Sequence, residues 1–258
     1  MKNNKELSII IPCFNEGKTI VNVINDLIFY AKKYIIDIEI IIINDGSNDD
    51  TREKSEKLIK KNKFIKLINH NRNLGFGEAY KSGIKKSSGS FCVLIPGDNE
   101  ADVNDTLRLF CETKNVDMVL PYVVNNFVRS SFRRFLSKLF IRIINISFGT
   151  SMIYSNGSVF YRTQVLKRIN IKSKGFLFQS EIVLKIIKSN YLYLQTPYFL
   201  KQRTDGNAQA LKLKNVIQVF FEFITLFIDL RLKKTSKINI IKNSATYVRR
   251  KESEKFKV

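Results

Sequence analysis

The chain has 258 residues, with 44 Lys and Arg against 23 Asp and Glu, for a formal net charge of +21 with its single histidine neutral. Its length suits one large α/β domain or two small ones, and 44% apolar and 12% aromatic residues exclude a disordered chain and supply a full core. The charge is uneven: 18 basic residues accompany 17 acidic ones up to Leu120, but 26 accompany 6 beyond it, so the two halves are expected to meet different partners.

The first apolar run, Leu7 to Ile11, reads as a strand that closes on Pro12-Cys13-Phe14-Asn15-Glu16-Gly17. Pro12 and Asn15 cut it too short for a secretory signal, so none is expected. Thr19 to Lys33 then has helical spacing through Ile20, Val23, Ile24, Leu27 and Ile28. A second strand, Ile38 to Ile43, ends at Asn44-Asp45-Gly46-Ser47, and Asp49, Asp50 and Thr51 are suited to the N-terminus of the next helix. The third, Phe64 to Ile68, leads through Asn71-Arg72-Asn73-Leu74-Gly75 into a helix ending near Gly89, and the fourth, Phe91 to Ile95, stops at Pro96-Gly97-Asp98-Asn99-Glu100. Buried strands alternating with amphipathic helices predict a mainly parallel sheet with helices on both faces. Ligands of such sheets bind beyond the carboxyl ends of the strands, so Asn15, Glu16, Asp45, Asn73, Asp98 and Glu100 are expected to line one crevice.

Past Leu120 the pattern loosens. A cationic helix is predicted from Arg129 to Phe148, then a turn at Tyr154 to Ser158, a short strand through Val159 and Tyr161, a helix after Ser180 and a strand near Tyr191 to Phe199. Arg203-Thr204-Asp205-Gly206 reads as a loop, residues 211–232 as an amphipathic helix, and residues 233–258 as a basic tail that frays. The longest apolar stretch, Val216 to Leu230, contains Glu222 and Asp229 and falls short of the roughly 20 residues a spanning helix needs, so a cytoplasmic chain without a transmembrane anchor is expected.

Cys13, Cys92 and Cys111 are odd in number and lack metal-type spacing, which favours buried thiols in a reducing compartment. His70, the sole histidine, excludes a histidine-rich metal site and reads as part of a surface loop. Asp45 reads either as a turn residue or as an acceptor for a nucleoside base or ribose, and its position at the sheet edge favours the second. Asp98 and Glu100 offer oxygen ligands for Mg²⁺ or Mn²⁺, to be completed by a diphosphate and water. Gly75-Phe76-Gly77-Glu78-Ala79-Tyr80 imitates a dinucleotide fingerprint but follows the third strand rather than the first, with Tyr80 where the third glycine belongs. Between Arg129 and Arg142, the cations Arg129, Arg133, Arg134, Lys138 and Arg142 alternate with Phe132, Phe135, Leu136, Leu139, Phe140 and Ile143. That composition suits a helix with a solvated basic face, or one lying at a lipid headgroup layer with a phosphate held between arginines.

Taken together, these segments resemble the family-two inverting glycosyltransferases of GT-A fold, and more narrowly their dolichol- or polyprenol-phosphate sugar transferase branch. Ser8 to Glu16 is similar to that family's opening strand and donor turn, Ile43 to Ser47 to its nucleoside-binding acidic motif, and Asn71 to Gly75 with Ala79 and Gly83 to the segment that follows. Ser173 to Glu181 resembles the polyprenol-phosphate branch, and Arg133 to Ser137 its acceptor-side helix. There are departures: Asn44 stands where a first acid is usual, Pro96-Gly97-Asp98 replaces Asp-Ala-Asp, and Arg203 to Gln209 lacks a lysine of the usual phosphate loop.

The resemblance implies one GT-A domain over residues 1–210, with a donor half at 1–120 and an acceptor half at 121–210. It implies that Pro12, Phe14, Asn15, Glu16, Asp45, Asn73 and Gly75 hold a nucleotide-diphosphate sugar, and that Asp98, with Glu100, holds Mg²⁺ or Mn²⁺ at the diphosphate. Gln179 and Glu181 fall to the sugar or acceptor region and Arg129, Arg133, Arg134 and Arg203 to the acceptor phosphate. The expected reaction moves a hexose with inversion onto a polyprenyl phosphate at the inner face of an anionic membrane, in partnership with a separate membrane-anchor protein if one is present. A phosphate acceptor is already a dianion near neutral pH and needs positioning more than a base. Two alternatives stay open: attack by a saccharide hydroxyl, with Glu181 as base, and a non-catalytic basic binding protein on the same scaffold. Nucleic acid is the less favoured polyanion.

Overall fold

The computed structural model describes residues 5–128, 130–200, 213–233 and 237–255. Four strands, β1 (Leu7–Cys13), β2 (Ile38–Asn44), β3 (Ile65–Asn69) and β4 (Phe91–Leu94), alternate with α1 (Ile20–Lys33), α2 (Thr51–Lys61) and α3 (Phe76–Lys86). A short α4 (Val103–Arg108) and a 3-10 turn (Leu109–Asn115) lead to β5 (Met118–Val123), and α5 (Ser131–Phe148) follows. Then come β6 (Phe160–Arg162), α6 (Thr163–Leu166), α7 (Phe178–Lys188), β7 (Tyr193–Tyr198), α8 (Leu213–Phe227), a π-turn (Ile228–Leu232) and α9 (Ala245–Lys255).

The seven strands form one sheet in the order β3-β2-β1-β4-β6-β5-β7. Every pairing is parallel except those of β6 with β4 and β5, so β6 alone is reversed and six strands end at one edge of the sheet. β1 and β2 are buried at all seven positions each, because helices cover both faces and leave no polar side to alternate with. Two apolar clusters result, one on each face: Ile9, Ile11, Ile40 and Ile42 join α1 and α4, whereas Ile10, Ile41 and Ile43 join α3, α7 and part of α8.

Within the sheet, β5 has no counterpart in the sequence reading. Asp117 and Pro121 interrupt its apolar run, and β6 pairs only with Met118 and Val119, so Pro121 lies where β5 has β7 as its single neighbour. The predicted cationic helix starts at Ser131 rather than Arg129, because Ser130 accepts from Arg133 N and caps it; it ends where Gly149 takes a left-handed conformation (φ 59°).

Over its described residues, 237–255, the expected basic tail is packed instead. Ile238, Ile240 and Ile241 lie against the core, and Asp117, fully buried, accepts from the backbone N–H groups of Ala245 and Thr246 and from the Thr246 hydroxyl. One carboxylate at the start of β5 thereby holds the N-terminus of α9, with Arg162 Nε donating to it at 2.6 Å. Of the three free thiols, Cys13 and Cys92 are buried as expected, but Cys111 is exposed in the 3-10 turn.

The helices α5 and α8 are apolar on two sides. Ile144 and Phe148 of α5 and Leu226 of α8 are buried, with Phe148 against Phe223 and Phe227 (ring centroids 5.8 and 6.0 Å), yet the opposite faces carry exposed Phe132, Phe135, Leu139, Ile143 and Ile146, and Ile217, Phe220, Phe221, Ile224 and Ile228. The helix expected at 211–232 forms over Leu213–Phe227, with apolar side chains exposed on its outward face. No helix among the described residues is long and apolar enough to cross a membrane.

Candidate functional site

The carboxyl ends of β1, β2, β3 and β4 bring together the turns expected to bind the donor. The β1–α1 and β2–α2 turns are laced to each other. Asn15 N donates to Ser47 Oγ, Asn48 N to Asn15 Oδ1, Glu16 N to Thr51 Oγ1 and Gly17 N to Asp49 Oδ2, all between 2.8 and 3.0 Å. Asn15 takes positive φ (59°) to make the turn, and Phe14 is 43% exposed at its tip. Pro12 lies inside β1 and is buried, so of the expected donor residues it shapes the strand end rather than facing the crevice.

Asp45 performs a structural task that its sequence context does not reveal. It is 3% exposed; Oδ1 accepts from Leu74 N and His70 Nδ1, and Oδ2 from Gly75 N, at 2.9, 2.6 and 2.9 Å. A carboxylate has about four lone-pair sites, so roughly one, on Oδ2, is left for a ligand. His70 is not a solvated loop residue: its side chain is 9% exposed and it bridges Asp45 to Ser82 Oγ, 2.9 Å from Nε2. As a carboxylate only accepts, Nδ1 donates to Asp45. Asp45 thus fixes the loop carrying Asn73, which is exposed, and Gly75, whose φ of 97° a side chain would strain. Gly46 (φ 70°) lies so close to that loop that a Cβ would sit 2.4 Å from the carbonyl carbon of Arg72.

The end of β4 adds a cluster of acids. Asp98 Oδ1 accepts from Glu100 N at 3.1 Å, and Gly97 passes so near β1 that a Cβ would lie 2.7 Å from Cys13 Sγ. Glu16 is pushed up to about 7, first by burial and next by the charge of Asp98; the Thr19 hydroxyl opposes the shift, and Asp49 and Glu100 add to it. Burial first, then the charges of Glu16, Asp98 and Asp49, raise the Cys13 thiol out of its ordinary range. Carboxylates that crowd one another at a strand end are suited to a divalent cation. Among the described residues no three metal-ligating side chains converge, however, so a cation on Asp98 and Glu100 would draw its other ligands from a diphosphate and water.

The acceptor-side residues fare differently. The first turn of α5, with Arg133 and Arg134, follows the carboxyl end of β5, at the same sheet edge as Asp45 and Asp98. Arg129 and Arg203 lie outside the described residues. Gln179 is buried and donates from Nε2 to Gly157 O at 2.8 Å, tying α7 to the 154–158 turn. Glu181 does not fit the role of a general base. It is 1% exposed, its Oε1 accepts from Lys172 N and is ion-paired with Lys185, and its Oε2 accepts from Ser173 N. Burial alone would raise its pKa, but the Lys185 charge and these hydrogen bonds hold it below the usual carboxylate range, the wrong direction for a base. His70, Ser82 and Glu222, which buttress the crevice, carried no sequence signal, because their partners lie 12 to 48 residues away.

Comparison with known proteins agrees with this geometry. The model of glycosyl transferase family 2 matches residues 8–169. A dolichyl-phosphate beta-glucosyltransferase of Dictyostelium discoideum is 34% identical over 114 residues, 42% of this chain and 35% of that protein. One of Saccharomyces cerevisiae is 25% identical over 238 residues, 81% of this chain and 71% of its own length. The chain thus spans about a third of the Dictyostelium relative. Glucosyl-3-phosphoglycerate synthase of Mycobacterium tuberculosis in complex with UDP superposes with a TM-score of 0.63 at 14% identity, covering 88% of this chain and 80% of that one. Its complex with Mn²⁺, UDP and glucosyl-3-phosphoglycerate gives 0.59 at 15% identity over the same shares. At such identities the likeness is one of fold.

Proposed function

Since the chain belongs to glycosyl transferase family 2, we propose that it moves a hexose from a nucleotide-diphosphate sugar onto a polyprenyl phosphate, with inversion at the anomeric carbon. The observation that carries the reading is the sheet edge itself. An ordered loop around Asp45, an exposed Phe14–Asn15 turn and the acids at Asp98 and Glu100 stand at one end of the strands, with Arg133 and Arg134 beyond β5 at the same edge. Support for the acceptor comes from the two dolichyl-phosphate beta-glucosyltransferases similar to this chain.

In this reading the Asp45 loop and the β1–α1 turn orient the nucleoside. Asp98 and Glu100 hold Mg²⁺ or Mn²⁺, which when bound neutralises charge on the departing diphosphate. Arg133 and Arg134 orient the acceptor phosphate, whose oxygen attacks without a base, consistent with the engagement of Glu181 in the fold. A saccharide hydroxyl as acceptor would require another base.

The acceptor reading also accounts for α5 and α8. Helices apolar all round are normally buried. Here the outward faces are exposed, and on α5 Arg134, Lys138 and Arg142 run along one flank of the apolar stripe. That combination supports an anionic bilayer as the surface met, with the rings in the acyl boundary and the cations at the headgroups; in this reading the chain lies peripherally on the leaflet that carries its acceptor.

Labelled UDP- and GDP-sugars incubated with Mg²⁺ or Mn²⁺, with and without polyprenyl phosphate, test the reaction. Label should enter the organic phase only when the lipid is present and should cease to do so on chelation. Lipid-independent transfer to a saccharide would replace this reading by the hydroxyl one, and salt-sensitive nucleic-acid binding without transfer would replace it by the non-catalytic one.

A further inference from the structure

The turn at residues 172–175 joins α8 to the donor crevice. Its four successive backbone N–H groups all donate to carboxylates: those of Lys172 and Ser173 to Glu181 of α7, and those of Lys174 and Gly175 to Oε1 of Glu222 on α8, at 2.8 to 2.9 Å. Gln218 Nε2 donates to the same Oε1 at 3.0 Å, whereas Glu222 Oε2 is buried with no hydrogen-bond partner among the described residues. A cavity of about 180 Å³ between this turn and α8 is lined by Lys172, Ser173, Glu181, Glu222 and Asp229, among others. On that side the turn borders empty volume, across which Glu222 ties it to α8 and Lys172, with Nζ 2.5 Å from Asp229 Oδ2, ties it to the π-turn that follows.

The other side of the turn faces α3. Lys174 O accepts from Gly77 N at 3.2 Å, and a Cβ at Gly77 would lie 2.6 Å from that oxygen, so backbone meets backbone with no side chain between. Phe76 packs on Phe176 and Phe178 at 6.2 and 5.6 Å, and the two residues before it, Leu74 and Gly75, donate to Asp45. A chain of direct contacts thus runs from α8 through Glu222 and the Lys174 carbonyl to the loop that Asp45 orders.

We infer that Glu222 is a positioning residue for the donor loop, coupling the seat of α8 to the crevice around Asp45. The inference rests on the reading of that crevice as the donor site. Coupling of this kind is reciprocal: whatever holds α8 in place favours the ordered loop, and a donor that orders the loop favours the seated helix.

Hydrogen–deuterium exchange on the full chain tests this without substrate. Glu222→Ala should speed exchange at the amides of Leu74, Gly75 and Gly77 by at least about tenfold, because the Lys174 and Gly175 N–H groups both lose their acceptor. Exchange in β1 and β2 should stay at the wild-type rate. Glu222→Gln should behave as wild type, because its amide oxygen still accepts from Lys174 and Gly175. Unchanged exchange at residues 74–77 in Glu222→Ala, a rise spread over the whole sheet, or a Gln variant as loose as the Ala one would each overturn the inference. Because no ligand is needed, a failed transfer assay would count against the donor reading and leave this coupling standing.

Discussion

Glu39 carries the most quantitative expectation. At the start of β2 it is 2% exposed and accepts from Ser8 Oγ (2.6 Å), the N–H and hydroxyl of Ser88 and Gly89 N (3.2 Å), while Lys66 Nζ lies 2.6 Å away. Burial would raise its pKa, but Lys66, Ser8 and Ser88 outweigh that and hold it at about 2, against an ordinary 4.5. At about 1.4 kcal/mol per unit, the difference amounts to at most about 3.5 kcal/mol of stability, less whatever solvent screens at the half-exposed Lys66. Because the folded pKa is the lower one, this contribution is complete above pH 4.5 and is lost as pH falls through 2; at pH 3 about 2 kcal/mol of it is gone. Glu39→Gln, which cannot ionise, should unfold more easily in urea than wild type at pH 7, and the gap should narrow by about 2 kcal/mol at pH 3. A gap that is the same at both pH values, or absent at pH 7, would refute the assignment of the stabilisation to the ionised carboxylate.

Three further expectations concern the site and its supports. Asp98→Asn should reduce metal-dependent transfer by at least about a hundredfold, measured as lipid-linked product, while isothermal titration finds the protein still folded and binding nucleotide. Phe135→Glu on α5 and Phe221→Glu on α8 should each weaken co-sedimentation with anionic vesicles by at least about tenfold, from the loss of one inserted aromatic ring; retained binding in the double variant would remove the lipid face. Asp117→Ala should free α9, seen as early proteolytic cleavage within residues 237–255, because three donors at its N-terminus lose their acceptor.

Much of the N-terminal half, proposed to bind the donor, was legible because its signals are local. Uninterrupted apolar runs such as Ile38 to Ile43 specify buried strands, and the polar turns directly after them mark where each strand ends. The acceptor half was less so. β5 was hidden by Asp117 and Pro121, both tolerated for reasons of sheet position, and the docked tail by its composition, since Lys-rich residues surround the few isoleucines that pack.

By itself, then, the chain's residue order determined the alternation of strands and helices and the one sheet edge at which the turns carrying Asp45 and Asp98 gather. These follow from hydrophobic periodicity and turn preference, which act over a few residues. Tertiary structure alone decided what each carboxylate does. Asp45 faces a loop 29 residues on, Glu181 and Glu222 divide one turn between them, and Glu39 collects donors from β1, β3 and the α3–β4 turn. A carboxylate's role is set by which donors the fold brings within 3 Å and by how much water it excludes, and neither is written in its neighbours along the chain.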